Sequence, residues 1–334
     1  MSKQRKAIIS TSPFLHDKAT TPTIMMEVVY TLIPLVALSY YFFGLGALLV
    51  VVASILGCMV TEYVFSSGEK WKKLKDGSAL ITGILLGLCL PPGFPLWMAF
   101  LGGIVSIGMG KLIWGGLGQN VFNPALVGRA FLQAAFPAAI TTWNAPTFGS
   151  GWFSLNGTNA ALPFLQAENV DAMTSATPLS KMKFDHDFGS ATDQALGIIS
   201  GSLGETAGVL ILLLGIYMIW RKIIHWRIPV AILSTVILFS GLFWLINPTI
   251  YPDPIFMLFT GGLMLGTMYM ATDLVTSPIT PKGQWIYGVG IAILVVTIRL
   301  WGGLPEGVMY AILIMNAVTP LVNKFTKIKP YGYK

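Results

Sequence analysis

The chain has 334 residues, 54% of them hydrophobic and only 10% charged, whereas soluble domains carry roughly 25% charged residues. With apolar runs recurring along its length, that shortfall excludes an ordinary soluble enzyme and defines a polytopic membrane protein. A formal charge of +7 would suggest nucleic acid as partner of a soluble chain; here basic loops account for it, and no nucleic acid is implied.

The first 24 residues, MSKQRKAIISTSPFLHDKATTPTI, are polar and basic without an early apolar core, which reads as a cytoplasmic N-terminal segment and not a signal peptide. Five spans follow at about 25–43, 45–65, 79–90, 96–114 and 122–139. A polar interval, 140–204, separates them from spans at about 206–220, 229–247, 255–270, 285–300 and 307–322. A short basic tail, 323–334, ends the chain. The predicted fold is therefore all-α and polytopic, with about ten transmembrane helices.

Basic residues orient these spans. With the N-terminus in the cytoplasm, the lead, EKWKKLKDG (69–77), Lys111, RKIIHWR (221–227), Lys282 and the tail lysines all fall on one side. That accounts for 17 of the 21 Lys and Arg; the exceptions are Arg129, Lys181, Lys183 and Arg299. Both termini are then cytoplasmic and 140–204, with five acids against two lysines, is extracytoplasmic.

A repeat flanks that interval. ALITGILLGLCLPP (79–92) resembles MLFTGGLMLG (257–266), and IWGGLGQN (113–120) answers LWGGLPEG (300–307). About five spans, an odd number, lie between matched elements, so the copies are inverted: 25–139 forms one five-helix repeat and 205–322 the other. The third span is short and ends in PPGFP, and the eighth runs into Thr-Ser-Pro, so both are expected to be broken helices.

Ionisable groups inside apolar runs cost about 2.5–3.5 kcal/mol each at a helix centre and invite a functional reading. Glu27, Glu62 and Arg299 lie near span ends and are expected to snorkel to water. Arg129 sits about two turns into its span and should pair with an acid or a ligand carbonyl. Asp273 follows a broken helix, where it could cap the turn or line an ion path. Asn123 before Pro124 is a helix cap by its position, whereas Asn120 has an amide free to meet a planar heterocycle. Cys58 and Cys89 lie inside apolar runs and read as inert thiols. No catalytic constellation, P-loop, dinucleotide fingerprint, ferredoxin cysteine pattern or metal site is legible.

DAMTSATP (171–178) resembles the flavinylation motif D-x-x-(S/T)-(G/S)-A-T, matched here by Asp171, Thr174, Ser175, Ala176 and Thr177. Together with DGSALITGILLGLCLPP, GGLGQNVFNPALVGRAF and MATDLVTSPIT, it makes nearly the whole chain similar to the D subunits of Rnf ion-translocating oxidoreductases. The B subunits of sodium-pumping NADH:quinone reductases share the motifs but usually carry a longer N-terminal extension.

The resemblance implies a translocase subunit in a bacterial cytoplasmic (inner) membrane that relays electrons between ferredoxin and NAD, coupled to movement of Na+ or H+. It implies FMN covalently attached through its phosphate to Thr177, a non-covalent riboflavin for which Asn120 and Asn123 are candidates, Rnf-type partner subunits A, B, C, E and G, and a flavin transferase for maturation. Arg129 joins the cofactor-binding candidates and Asp273 the ion-path candidates. SPFLH at 12–16 departs from the family's usual Ser-Pro-His. Inverted five-span repeats also build passive urea- and ammonium-type channels, and a colourless structural scaffold is a third reading.

Overall fold

A computed structural model describes residues 20–66, 70–146, 148, 152–153, 157–163, 176–184, 197, 200–205 and 208–327. Asp171, Thr174 and Ser175 of the expected flavinylation motif, the SPFLH segment and the end of the tail lie outside the described residues.

The first half contains α1 (Thr21–Phe43), α2 (Leu45–Phe65), the short α3 (Lys70–Leu74), α4 (Ser78–Leu88), α5 (Leu96–Ile107), which continues as a π-helical turn (Gly108–Leu112), α6 (Pro124–Ala135) and α7 (Pro137–Ile140). A short α8 (Pro178–Phe184) belongs to the interval between the halves. The second half has α9 (Gly208–Trp220), α10 (Arg227–Ile246), α11 (Pro254–Phe259), α12 (Leu263–Leu265), a second π turn (Gly266–Met270), α13 (Pro281–Trp301) and α14 (Val308–Phe325). Eight of the expected spans coincide with single apolar helices, whereas the fifth (122–139) is divided between α6 and α7 and the eighth (255–270) among α11, α12 and the second π turn. By length and composition, α1, α2, α10, α13 and α14 can cross a membrane unaided, and α4, α5 with its π turn, and α9 are shorter. This is an all-α polytopic membrane protein.

Packing repeats between the halves. α2 lies along α5 and α4, and its counterpart α10 lies along α13 and α11. Glycine makes the first contact possible: a Cβ on Gly57 would collide with the Phe100 carbonyl oxygen, and one on Gly103 would come within 2.6 Å of that of Ser54. Backbones that approach so closely gain dispersion where lipid supplies no hydrophobic driving force between helices. α6 packs on α14 and joins one half to the other.

The repeat also explains the first π turn. KLIWGG (111–116) carries one residue more between its cation and tryptophan than RLWGG (299–303). A π turn absorbs one extra residue without ending the helix, which leaves Lys111 in the first half as the counterpart of Arg299 in the second.

Both short spans are broken, and their loose backbone ends are capped. α4 stops at Leu88, and its terminal carbonyls accept from a neighbouring segment: Leu203 N–H donates to Leu90 O (3.1 Å) and Gly204 N–H to Leu88 O (2.7 Å). The eighth span breaks earlier than its Thr-Ser-Pro end suggested, at Thr260–Gly262, where Gly261 has φ +67°. Thr-Gly-Gly itself is the sequence signal for that break, since glycine alone adopts positive φ without strain.

Two expectations fail. Glu62 (1% exposed) and Arg299 (0% exposed) do not reach water. Each is covered by helices of its own half and hydrogen-bonded inside it, which removes the need to snorkel. Glu27 does stay near water, paired with Arg221 at 2.6 Å on partly exposed side chains. Such a pair is worth little.

Candidate functional site

Two cavities, each with a few polar side chains in a mostly apolar lining, lie toward opposite ends of α6. Asn123, at the start of that helix, lines one; Arg129 and Gln133 line the other. Ten residues from Asn123 to Gln133 correspond to about 15 Å of helix.

The cavity at the Lys111 end, of about 100 Å³, is lined among others by Ser78, Lys111, Asn120, Asn123, Tyr269 and Asp273. Lys111 Nζ donates to Glu62 Oε1 (2.5 Å) and to Ser78 Oγ (2.6 Å), and Ser78 Oγ donates to Asp76 Oδ1 (2.6 Å). The result is a charged chain at the first turn of α4. Glu62 Oε2 has no partner among the described residues.

The two asparagines play different parts. Asn123 caps α6: its Oδ1 accepts from Ala125 N (3.0 Å) and Leu126 N (3.4 Å), and its Nδ2 donates to Met270 O (3.2 Å) across the halves. Its side chain is therefore committed to structure. Asn120 donates only to Phe122 O (3.3 Å), and its buried Oδ1 has no partner among the described residues. Asp273 caps its own turn, accepting from Val275 N (3.2 Å) and Thr276 Oγ1 (3.2 Å), and also lines the cavity.

The cavity at the Thr177 end is larger, about 350 Å³, and lies within the roughly 300–1,000 Å³ usual for ligand sites. Arg129, Gln133, Thr141, Thr177, Glu205 and Glu306 supply its polar wall, with Ile140, Trp143, Leu304, Pro305 and Met309 beside them. Arg129 finds the acid that its position demanded: Nη2 donates to Glu306 Oε2 at 2.7 Å.

Glu306 has a second task. Its Oε1 accepts from Gly262 N at 2.7 Å, at the N-terminal side of α12 beyond the break in the eighth span. On the other side of the break, Arg299 donates from Nη1 to Met257 O (2.6 Å) and from Nη2 to Thr260 O (2.8 Å). A cation thus meets the carbonyl end of α11 and an anion the amide end of α12, the arrangement that helix dipoles favour. By sequence, Arg299 is expected to reach water, and Glu306 stands among the ionisable groups of the spans without an assigned partner. The matched WGGL segments, each beside a cation, were the signal that could have found them.

Thr177 is the residue before α8. Its Oγ1 accepts from Ser180 N (3.2 Å) and lies 2.9 Å from Ser180 Oγ. Thr177 is only 8% exposed, because Leu179 and Met182 of α8 bury into the core and draw the helix down. Lys183 Nζ fastens the other end of α8 by donating to the carbonyls of Gly302 and Leu304; burial pushes its ammonium below the usual lysine range. Ala176, by contrast, is exposed. Thr177 and Arg129, far apart in sequence, thus share one cavity, and Asn120 shares the other with Asp273.

A family model described as "NQR2, RnfD, RnfE family" matches residues 8–332. The chain belongs to that family. It is 41% identical to the D subunit of the proton-translocating ferredoxin:NAD(+) oxidoreductase complex of Clostridium ljungdahlii, over 97% of this chain and 96% of that one. It is 38% identical to the D subunit of the Na(+)-translocating ferredoxin:NAD(+) oxidoreductase complex of Acetobacterium woodii, over 97% and 95%. With the D subunit of the ion-translocating oxidoreductase complex of Stutzerimonas stutzeri it shares 39% identity over 94% and 93%. Cys58 and Cys89 are both free and buried.

Proposed function

We propose that this chain is the membrane subunit of an electron-transport-driven ion pump of the ferredoxin:NAD oxidoreductase type, and that it relays electrons through FMN esterified at Thr177. The observation that carries the reading is Thr177 on the wall of a ligand-sized cavity, in a family whose named relatives are ion-translocating oxidoreductase subunits. Asp171, Thr174, Ser175 and Ala176 complete the acceptor motif. When bound, the isoalloxazine supplies the electron transfer, and the protein supplies position and field.

This chain's residues fit that group. Thr177 offers an oxygen whose attachment to phosphate would keep its acceptor role toward Ser180 N. Trp143, Pro305 and Met309 offer apolar surface to a ring. The basic-residue asymmetry supports cytoplasmic termini, with Thr177 on the extracytoplasmic side of a bacterial inner membrane. Partner subunits of Rnf type (A, B, C, E and G) and a flavin transferase acting on Thr177 belong to the same reading.

A non-covalent riboflavin is proposed for the Lys111 end, where Asn120 Oδ1 and Lys111 Nζ offer an acceptor and a donor. A cavity of about 100 Å³ must widen to admit a tricyclic ring, so residues such as Tyr269 or Leu117 have to withdraw. Asp273 is the proposed ion-path carboxylate there, and Na+ or H+ is the transported ion.

In-gel fluorescence of the denatured polypeptide tests the tether. The wild type should give a flavin band and Thr177→Ala none; a band that persists in the variant removes Thr177 as the site. Intact mass of the polypeptide from its native host should show the added FMN. A quinone-linked sodium pump subunit is the neighbouring alternative within the family. A passive urea- or ammonium-type pore is the further alternative; its conduction should survive Thr177→Ala.

A further inference from the structure

We infer that Arg129 is the counter-cation of the group tethered at Thr177, and that Glu306 is a built-in competitor for it. The inference rests on the tether proposed above, but it concerns a different question: what sets the electrical cost of reducing that group.

The cavity's charges make the case. Its described lining contains one guanidinium, Arg129, and two carboxylates, Glu205 and Glu306. The neighbouring cations are already engaged: Arg299 holds the carbonyls of Met257 and Thr260, and Lys183 those of Gly302 and Leu304. Arg129 is only partly engaged. Nη2 is bonded to Glu306, whereas Nε is buried with no partner among the described residues. A buried guanidinium with an unused N–H is costly unless something else accepts from it.

Glu306 is likewise divided. One oxygen serves Arg129 and the other serves Gly262 N–H. The carboxylate therefore keeps an anchor at the helix break if Arg129 turns away. Reducing an isoalloxazine with two electrons and one proton adds one negative charge to the ring. Beside two carboxylates that charge is disfavoured, and a guanidinium that shifts its donors from Glu306 toward the ring compensates. Glu306 competes for the same donors, so it holds the reduction potential down.

The prediction has opposite signs at the two ends of one ion pair. Flavin-loaded wild type, Arg129→Gln, Arg129→Lys and Glu306→Gln would be titrated with dithionite while the flavin absorption is followed. Arg129→Gln should move the potential of the tethered flavin to more negative values, by at least a tenfold change in the reduction equilibrium, about 30 mV for a two-electron couple. Glu306→Gln, which keeps an oxygen for Gly262 N–H, should move it to more positive values. Arg129→Lys should fall between wild type and Arg129→Gln.

Unchanged potentials, or shifts of the same sign in Arg129→Gln and Glu306→Gln, overturn the inference. If Arg129→Gln fails to accumulate, the sign in Glu306→Gln alone decides. A wild type without a fluorescent flavin band would instead remove the tether itself, so the two failures are distinguishable.

Discussion

Asn120 and Asn123 are three positions apart and look interchangeable in the sequence, yet their hydrogen bonds separate them. Asn123 spends its amide on the cap of α6 and on Met270 O; Asn120 leaves its carbonyl oxygen open toward a cavity. Asn123→Ala should therefore destabilise the protein by about 1 kcal/mol as a lost helix cap, seen as earlier thermal unfolding in detergent. Asn120→Ala should leave the unfolding temperature unchanged and reduce the non-covalent riboflavin recovered on extraction. The capping role was legible because Asn-Pro has a fixed geometry at a helix start. The charge chain Glu62–Lys111–Ser78 was not, because its members lie on three separate helical segments and no local spacing links them. Removing one member tests that chain. Lys111→Met would strand a buried carboxylate, a loss of about 3–5 kcal/mol, and adding Glu62→Gln should restore much of it. Equal melting of the single and double variants would show that the pair does not couple.

At the scale of elements, span positions were readable because hydrocarbon demands long apolar runs, and proline and glycine mark where those runs fail. The interior of the eighth span was not readable in the same way. Its break at Thr260–Gly262 depends on Arg299 and Glu306 arriving from elsewhere in the chain to satisfy the exposed carbonyls and amide. Gly261 is the hinge of that arrangement. Its φ of +67° disfavours any side chain, and a Cβ would approach Leu179 Cδ1 of α8 to 2.6 Å. Gly261→Ala should cost roughly 1–2 kcal/mol from backbone conformation alone, and more from the displaced leucine. Since Leu179 sits two residues beyond Thr177, the variant should also lower the yield of flavin attachment, read as weaker in-gel fluorescence at equal protein. Unchanged melting would mean that the break relaxes to a conformation in which alanine is at ease.

For the whole molecule, the repeat was the most informative feature of the sequence. It led to the expectation of two halves of like construction; in the structure α2 packs on α5, and α10 on α13. What it could not convey is which sites the halves assemble together. Arg129 and Glu306 are 177 positions apart, and the cavity they share with Thr177 draws on both halves and on the interval between them. Spin labels tell the halves apart in motion. A pair placed on the lipid-facing sides of α2 and α5 should report one distance in oxidised and reduced protein, whereas a pair spanning α11 and α6 should report a change. A redox-dependent distance across α2 and α5 would contradict this.

The glycine contact between α2 and α5 has a mechanical consequence. Two rods that touch backbone to backbone have no side-chain layer to slide upon, so together they behave as a stiff plate. Any rearrangement that accompanies turnover is then channelled into the interrupted rods beside the plate, where polar side chains, and not an unbroken ladder, hold the backbone together.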